Sequence, residues 1–126
     1  MAIRNECILE WIDVISRIHG LQMDPVSLTD DVVLMAMVFR DEEAFVLAMN
    51  NVARALTQLI NGLVETSQLE HHYSGWEFYH FQSHRTQGHR ADLRIVFLKV
   101  NTNVIRVKGF GHRHLPLDIY NRLRPR

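Results

Sequence analysis

Between residues 41 and 81 the hydrophobic pattern of this 126-residue chain changes period, and that change fixes the class of fold open to it. Phe45, Met49, Val52, Leu56, Leu59, Ile60 and Leu63 recur every three or four residues, which lines one face of a long helix from Asp41 to about Val64. Asp41 suits the N-cap, and Glu42 and Glu43 fall in the first turn, where the helix dipole favours negative charge. Beyond Ser74-Gly75 the pattern is that of strands. WEFYHF (Trp76 to Phe81) is rich in aromatics, and LRIVFLKV (Leu93 to Val100) is apolar on both faces, as a central strand would be. In NVIRVKGF (Asn103 to Phe110), Ile105 and Val107 face one way and Arg106 and Lys108 the other. Asn101-Thr102-Asn103 predicts a tight turn between the last two strands, because Asn tolerates left-handed backbone. A helical part followed by an antiparallel three-stranded meander is an α+β domain.

The N-terminal part adds a helix and a less certain element. Ile3, Cys7, Ile8, Trp11, Ile12, Ile15 and Ile18 mark an amphipathic helix ending near Gly20, and Leu21 to Thr29 reads as a connector. VVLMAMVF (Val32 to Phe39) is a short apolar run whose length fits either a buried strand or a helical stretch; the expectation favoured here is a strand. Residues 1–126 are expected to form one domain, with 47% apolar residues sufficient for a core. Cys7 is the single cysteine, so neither an internal disulfide nor a cysteine zinc cage is expected. MAIRNECILEWID breaks its apolar pattern with acids and does not read as a signal peptide, and no stretch approaches a membrane span. A cytoplasmic location, with no membrane association, is the corresponding expectation.

A formal charge of zero conceals a strong asymmetry. From Arg85 to Arg126 there are ten basic residues against two acids, Asp92 and Asp118, while the first 84 residues hold four arginines and twelve acids. The chain divides into a −8 part and a +8 part, and a polyanion would be drawn to the second.

Residues suited to chemistry crowd into the basic part. Seven of the eight histidines lie between His71 and His114. His112-x-His114 has the spacing to chelate a metal with a third ligand from His80, His84 or His89, but no recognised metal spacing is present, and imidazoles also move protons unaided. Arg113 lies between two histidines directly after Gly109-Phe110-Gly111. A guanidinium beside a group titrating near neutrality is what phosphodiester cleavage needs: one moves the proton and the other stabilises charge on the transition state. Arg94 opens an apolar strand and requires an acidic partner, either a phosphate or the side chain of Asp92 or Glu77. Tyr120 is open to three roles: proton donor, base-stacking platform, or packed aromatic of a terminal turn. Trp76 and its strand could stack nucleobases, with Arg85, Arg90, Arg106 and Lys108 contacting phosphates.

SGWEFYHF, DLRIVFLKV, VIRVKGFGHR and the final IYNRL together resemble the RelE/ParE superfamily of small bacterial toxins, in particular its RelE, YoeB and HigB-like ribonucleases, over about Val32 to Leu123. The resemblance implies a RelE-like core at residues 32–123 preceded by an extra helix at 1–20. It also implies a metal-independent, cofactor-free endoribonuclease acting on mRNA, on the ribosome in many members, and restrained by a cognate antitoxin. Transferred by position, Arg94 matches the family's central-strand arginine. His112, Arg113 and His114 match the basic cluster after the last strand, and Tyr120 the tail aromatic. The acidic N-terminal helix and the long loop Gln82 to Ala91 depart from the family pattern. Three roles are open to that helix: shielding the basic face, replacing part of an antitoxin contact, or forming a homo-oligomer. ParE-like members inhibit gyrase instead, so fold alone does not fix activity. The competing expectations are a non-catalytic nucleic-acid- or protein-binding module that uses the basic sheet, and a metal-dependent hydrolase built on the histidines.

Overall fold

A computed structural model describes residues 2–68, 75–83 and 90–126. The helices are α1 (Asn5–Ser16), α2 (Pro25–Val38), α3 (Glu42–Ile60) and α4 (Ile119–Leu123). The strands are β1 (Leu21–Gln22), β2 (Ser67–Gln68), β3 (Glu77–Phe81), β4 (Leu93–Asn101) and β5 (Val104–His112), in the sheet order β1-β5-β4-β3-β2. The protein is α+β, as the change of period predicts.

Two expectations are corrected. Val32 to Phe39 is not a strand: Val32 to Val38 form the second half of α2, and Phe39 is its C-cap. Asp24 caps this helix by accepting the Ser27 N–H at 3.0 Å, and Pro25 occupies its first turn, so the start signal lies in what reads as connector. The apolar run looks strand-like because the helix buries Leu28, Val32 and Met35 while also exposing Val33 and Met37, which erases the helical period. The sheet is mixed, not antiparallel: Leu21 and Gln22 pair parallel to Ile105 and Arg106 on β5. Two residues carry too little pattern to announce a strand. Gly20 permits this pairing, because a Cβ there would lie 2.3 Å from the Asn103 carbonyl oxygen.

Elsewhere local chemistry acts as expected. Asp41 caps α3 through the Ala44 N–H. The helix closes at Gly62 (φ +68°), with Leu63 N–H donating to Gln58 C=O and Gly62 N–H to Leu59 C=O, a left-handed cap that ends it four residues before Val64. Asn103 has φ +63° in the turn between β4 and β5.

Side chains on β4 and β5 divide between two cores. Leu93, Ile95 and Phe97 with Ile105, Val107 and Phe110 pack under α1, α2 and α3. Val96 faces the other way, against Ile119 and Leu123 of α4 with Trp76 and Tyr120 alongside. The acidic helix α1 therefore joins the helical layer through Cys7 and Ile15, across the sheet from α4.

A buried carboxylate ties the layers together. Asp31 of α2 is fully buried and accepts the Phe110 N–H (3.0 Å), Nη1 of Arg122 (2.6 Å), and both terminal nitrogens of Arg126 (2.8 and 2.9 Å). The same arginines donate to Phe110 C=O (3.1 Å) and Lys108 C=O (3.2 Å). Beyond β1 the outer edge of β5 is thus capped by side chains at Lys108 and Phe110, where three backbone groups find partners without another strand. Gly109 and Gly111 make room for this arrangement: a Cβ would meet Leu123 at 2.3 Å at the first, and Arg122 at 2.7 Å at the second.

Removing one partner from a buried ion cluster costs more than the cluster contributes, because the remaining charge loses both its partner and its solvent. Asp31→Ala is expected to lower the unfolding free energy by about 3–5 kcal/mol, seen as a lower urea midpoint with an unchanged slope.

Candidate functional site on the α4 face of the sheet

The turn after β5 sets the site. Arg113 N–H donates to Asp92 C=O (2.8 Å), which extends the β4–β5 pairing by one step, and Ile119 N–H returns to Arg113 C=O (3.0 Å), which closes the loop before α4. Asp118 caps α4 through the Asn121 N–H and also forms an ion pair with Arg113. The Arg113 guanidinium lies 4.5 Å over the Tyr120 ring, a cation–π contact. Tyr120 meets Phe78 of β3 edge-to-face at 6.1 Å, and Phe78 lies 6.2 Å from His80. Register places His80 opposite Arg94 and Arg94 opposite Gly111. Since Phe78 pairs with Val96 and β-side chains alternate, Phe78, His80, Arg94 and Val96 all look toward α4.

Arg94, Arg113 and Tyr120 therefore share one face, although they are far apart in sequence. Arg94 donates from Nη1 to the carbonyls of Ala91 (2.9 Å) and Leu93 (3.0 Å), which steadies the side chain and leaves the rest of its fork for a ligand. Glu77 accepts instead from Thr66 Oγ1 at 2.5 Å. His80 belongs with this group, a placement visible only from strand register.

His112 is engaged by its own turn. It is the last residue of β5, and its Nδ1 accepts the backbone N–H of His114 (3.0 Å) and of Leu115 (3.1 Å), while its ring lies 6.4 Å from Phe39. Two donors at Nδ1 fix the neutral tautomer with the proton on Nε2. Burial lowers the His112 pKa from 6.5, partly opposed by Asp92 and reinforced by His114 and Arg94. The imidazole thus holds the turn that aims Arg113, and its basic nitrogen is committed. His114 is exposed, 6.3 Å from the His112 ring. Among the described residues no three His, Cys, Asp or Glu side chains form a metal-binding group.

The remaining sequence candidates divide. Arg106, Lys108 and Trp76 lie together toward the other end of the same face, with the Lys108 ammonium 5.0 Å over the indole. Arg90 is exposed at the start of the Arg90–Asp92 approach to β4. Arg85, together with His84, His89 and the His71-His72 pair, lies outside the described residues. The base of that β3–β4 connection is firmly held: Ser83 donates from its N–H and hydroxyl to the two Asp92 oxygens, both at 2.7 Å, and Asn51 Nδ2 donates to the carbonyls of Gln82 and Ser83.

No helix among the described residues is long and apolar enough to cross a membrane. No protein-family model matches the chain, and neither curated proteins nor solved structures give a significant match.

The His112 arrangement has a definite pH signature. A histidine whose folded pKa lies below its unfolded value binds fewer protons when folded, so stability is full above the unfolded pKa near 6.5 and falls on acidification until the folded pKa is passed. His112 should titrate below 6.5 by NMR. His112→Asn, which retains an acceptor but does not titrate, should flatten the loss of stability below that pH.

Proposed function

We propose that this protein is a toxin-type endoribonuclease, RelE-like in its core, that lays single-stranded RNA across the α4 face and cleaves it by metal-independent acid–base chemistry. The observation that carries the reading is the convergence of Arg94, Arg113 and Tyr120 on one face, with the Arg113 guanidinium 4.5 Å over the Tyr120 ring. These are three of the five residues that the resemblance to the RelE/ParE toxins singles out, the others being His112 and His114.

In such a reaction the ribose 2′-oxygen attacks the adjacent phosphorus and the bond to the 5′-oxygen breaks. A base takes the 2′ proton and an acid supplies a proton to the departing oxygen. Arg94 and Arg113 stabilise the charge that grows on the nonbridging oxygens, where a fork of donors acts most strongly. Tyr120 orients the ribose or donates the proton. Among the described residues, His80 and His114 are the exposed imidazoles near this end of the sheet, and His112 Nδ1 is occupied by the turn. Arg113 must exchange its bond to Asp118 for one to phosphate, a modest cost because both side chains are about one-third exposed. Messenger RNA, on the ribosome or free, is the substrate under this reading, and an antitoxin its restraining partner.

The committed state of His112 favours one alternative, a non-catalytic module that docks its basic face on RNA or an acidic protein. Its arginines would contribute additively, with affinity falling steeply with salt.

Arg94→Ala and Arg113→Ala should each reduce RNA cleavage by about 10²–10³ while the circular dichroism spectrum is preserved, and should relieve growth arrest on expression. His112→Asn should retain activity within about tenfold, since one good hydrogen bond to the turn is kept. Wild-type protein that leaves cells growing and translated RNA intact would exclude the nuclease reading. Substitutions that lower RNA affinity in step with salt, without a cleavage activity to lose, would establish the binding module.

A further inference from the structure

At the opposite end of the α4 face from Arg94 and Arg113 there is a cavity of about 370 Å³ between the N-terminus of α2, the edge of β5 and Trp76. Its cationic lining comes from three side chains on two segments: Arg106 and Lys108 of β5, and Arg126 beyond α4. Trp76 and Val107 supply an apolar wall, and Asp24 and Ser27 close the side formed by α2. The size suits a small ligand of nucleotide dimensions.

The charges in this cavity are arranged against their own repulsion. Burial lowers the Lys108 pKa, and the nearby Arg126 guanidinium lowers it further. Asp31 must serve both Arg122 and Arg126, so a positive charge is left over beside Lys108. Asp24, the acid in the lining, already accepts the Ser27 N–H. A dianion placed among Arg106, Lys108 and Arg126 would relieve this repulsion, and guanidinium groups bind phosphate in bidentate fashion. The indole offers a π-face, on which the Lys108 ammonium now rests. A flat aromatic ligand would stack there as Lys108 turns to its phosphate.

We propose that this cavity is a nucleotide seat: it holds the phosphate of one nucleoside monophosphate between Arg106, Lys108 and Arg126 and the base against Trp76, with the Asp24 carboxylate accepting a base N–H or ribose hydroxyl. The ligand is either a free nucleotide or one residue of an RNA strand. The inference deepens the RNA-directed reading above and rests on it for the second source alone. Arg94 and the Leu98–Arg106 pair lie four residues apart on β4, so the seat is about 13 Å from the cleavage end. An RNA held in both places would be gripped on either side of α4.

Trp76 reports directly on the seat. The chain has two tryptophans, and Trp11→Phe leaves Trp76 as the single emitter. Adenosine 5′-monophosphate should quench this fluorescence saturably, with inorganic phosphate competing. Arg106→Ala and Lys108→Gln should each weaken binding about tenfold or more, as loss of a charge-assisted contact does. ³¹P NMR of the nucleotide gives the same constants without relying on the indole, and circular dichroism checks the fold of each variant. Displacement of a short oligoribonucleotide by the monophosphate identifies the seat as part of an RNA path; binding of the monophosphate without such displacement identifies a free-nucleotide site. Absence of binding at millimolar nucleotide, or binding that Arg106→Ala and Lys108→Gln leave unchanged, overturns the proposal. Arg94→Ala should bind the monophosphate like wild type. A protein that binds it but cuts no RNA refutes the nuclease and keeps the seat, whereas one that cuts RNA without binding it refutes the seat alone.

Discussion

Asp31 is the residue on which the rest of the arrangement depends. A carboxylate removed from water must have its lone pairs filled, and here four donors fill them: one backbone N–H from β5 and three guanidinium nitrogens from the tail. The consequence reaches beyond neutralising a charge. The bonds fix α2 against the outer edge of β5, hold α4 on the far face of the sheet, and occupy the Phe110 N–H, the Phe110 C=O and the Lys108 C=O on that edge. Arg122 Nε remains buried without a hydrogen-bond partner, so the cluster is not an optimum of energy. Its value is geometric, since few other side-chain pairings could hold three elements in this relation.

Because α4 is held in this way, the α4 face is divided. The short helix covers the middle of the sheet with Ile119 and Leu123 over Val96, and a basic, aromatic area remains on either side. One holds Arg94, His80, Phe78, Arg113 and Tyr120; the other holds Trp76, Arg106 and Lys108. The Gly109-Phe110-Gly111 sequence belongs to this division. Its glycines let Leu123, Arg122 and Arg126 approach the strand.

The legible parts of the fold were those encoded locally. Asp41 as a cap, the α3 apolar stripe, the Asn103 turn and the three long strands each rest on signals within a few residues. Elements defined by distant partners were not legible. Leu21–Gln22 is a strand only because Ile105 and Arg106 lie beside it, and α2 lacks a helical period because it carries apolar residues on its exposed face as well as its buried one. The candidate site shows the same contrast. Arg94, Arg113 and Tyr120 could be singled out by residue type, but His80 joins them only through its register with Arg94. The engagement of His112 was not legible, because the partners of its Nδ1 are backbone N–H groups, which no residue-type pattern reveals. For Asp31 a signal did exist: Arg122 and Arg126 are four residues apart, close enough to converge on one acid, yet nothing in the sequence says which acid.

The charge asymmetry takes on a different meaning once these partners are known. An acidic half and a basic half suggest one shielding the other, but α1 lies across the sheet from the basic face and pairs Arg4 with Glu42 within the helical layer. The acid that matters most is a single one, Asp31, which fixes Arg122 and Arg126 in place but offsets only one of their two charges. Asp118 engages Arg113, and Asn121 accepts from Arg124. Much of the tail's positive charge is therefore spent on building the face. The basic side chains that face the two areas are a smaller set, Arg94 at one end and Arg106, Lys108 and Arg126 at the other, with Arg113 available in exchange for Asp118. A polyanion that binds here must reach both ends around α4, so the fold converts a diffuse basic segment into two separated contacts, and separation gives register where net charge alone gives only attraction.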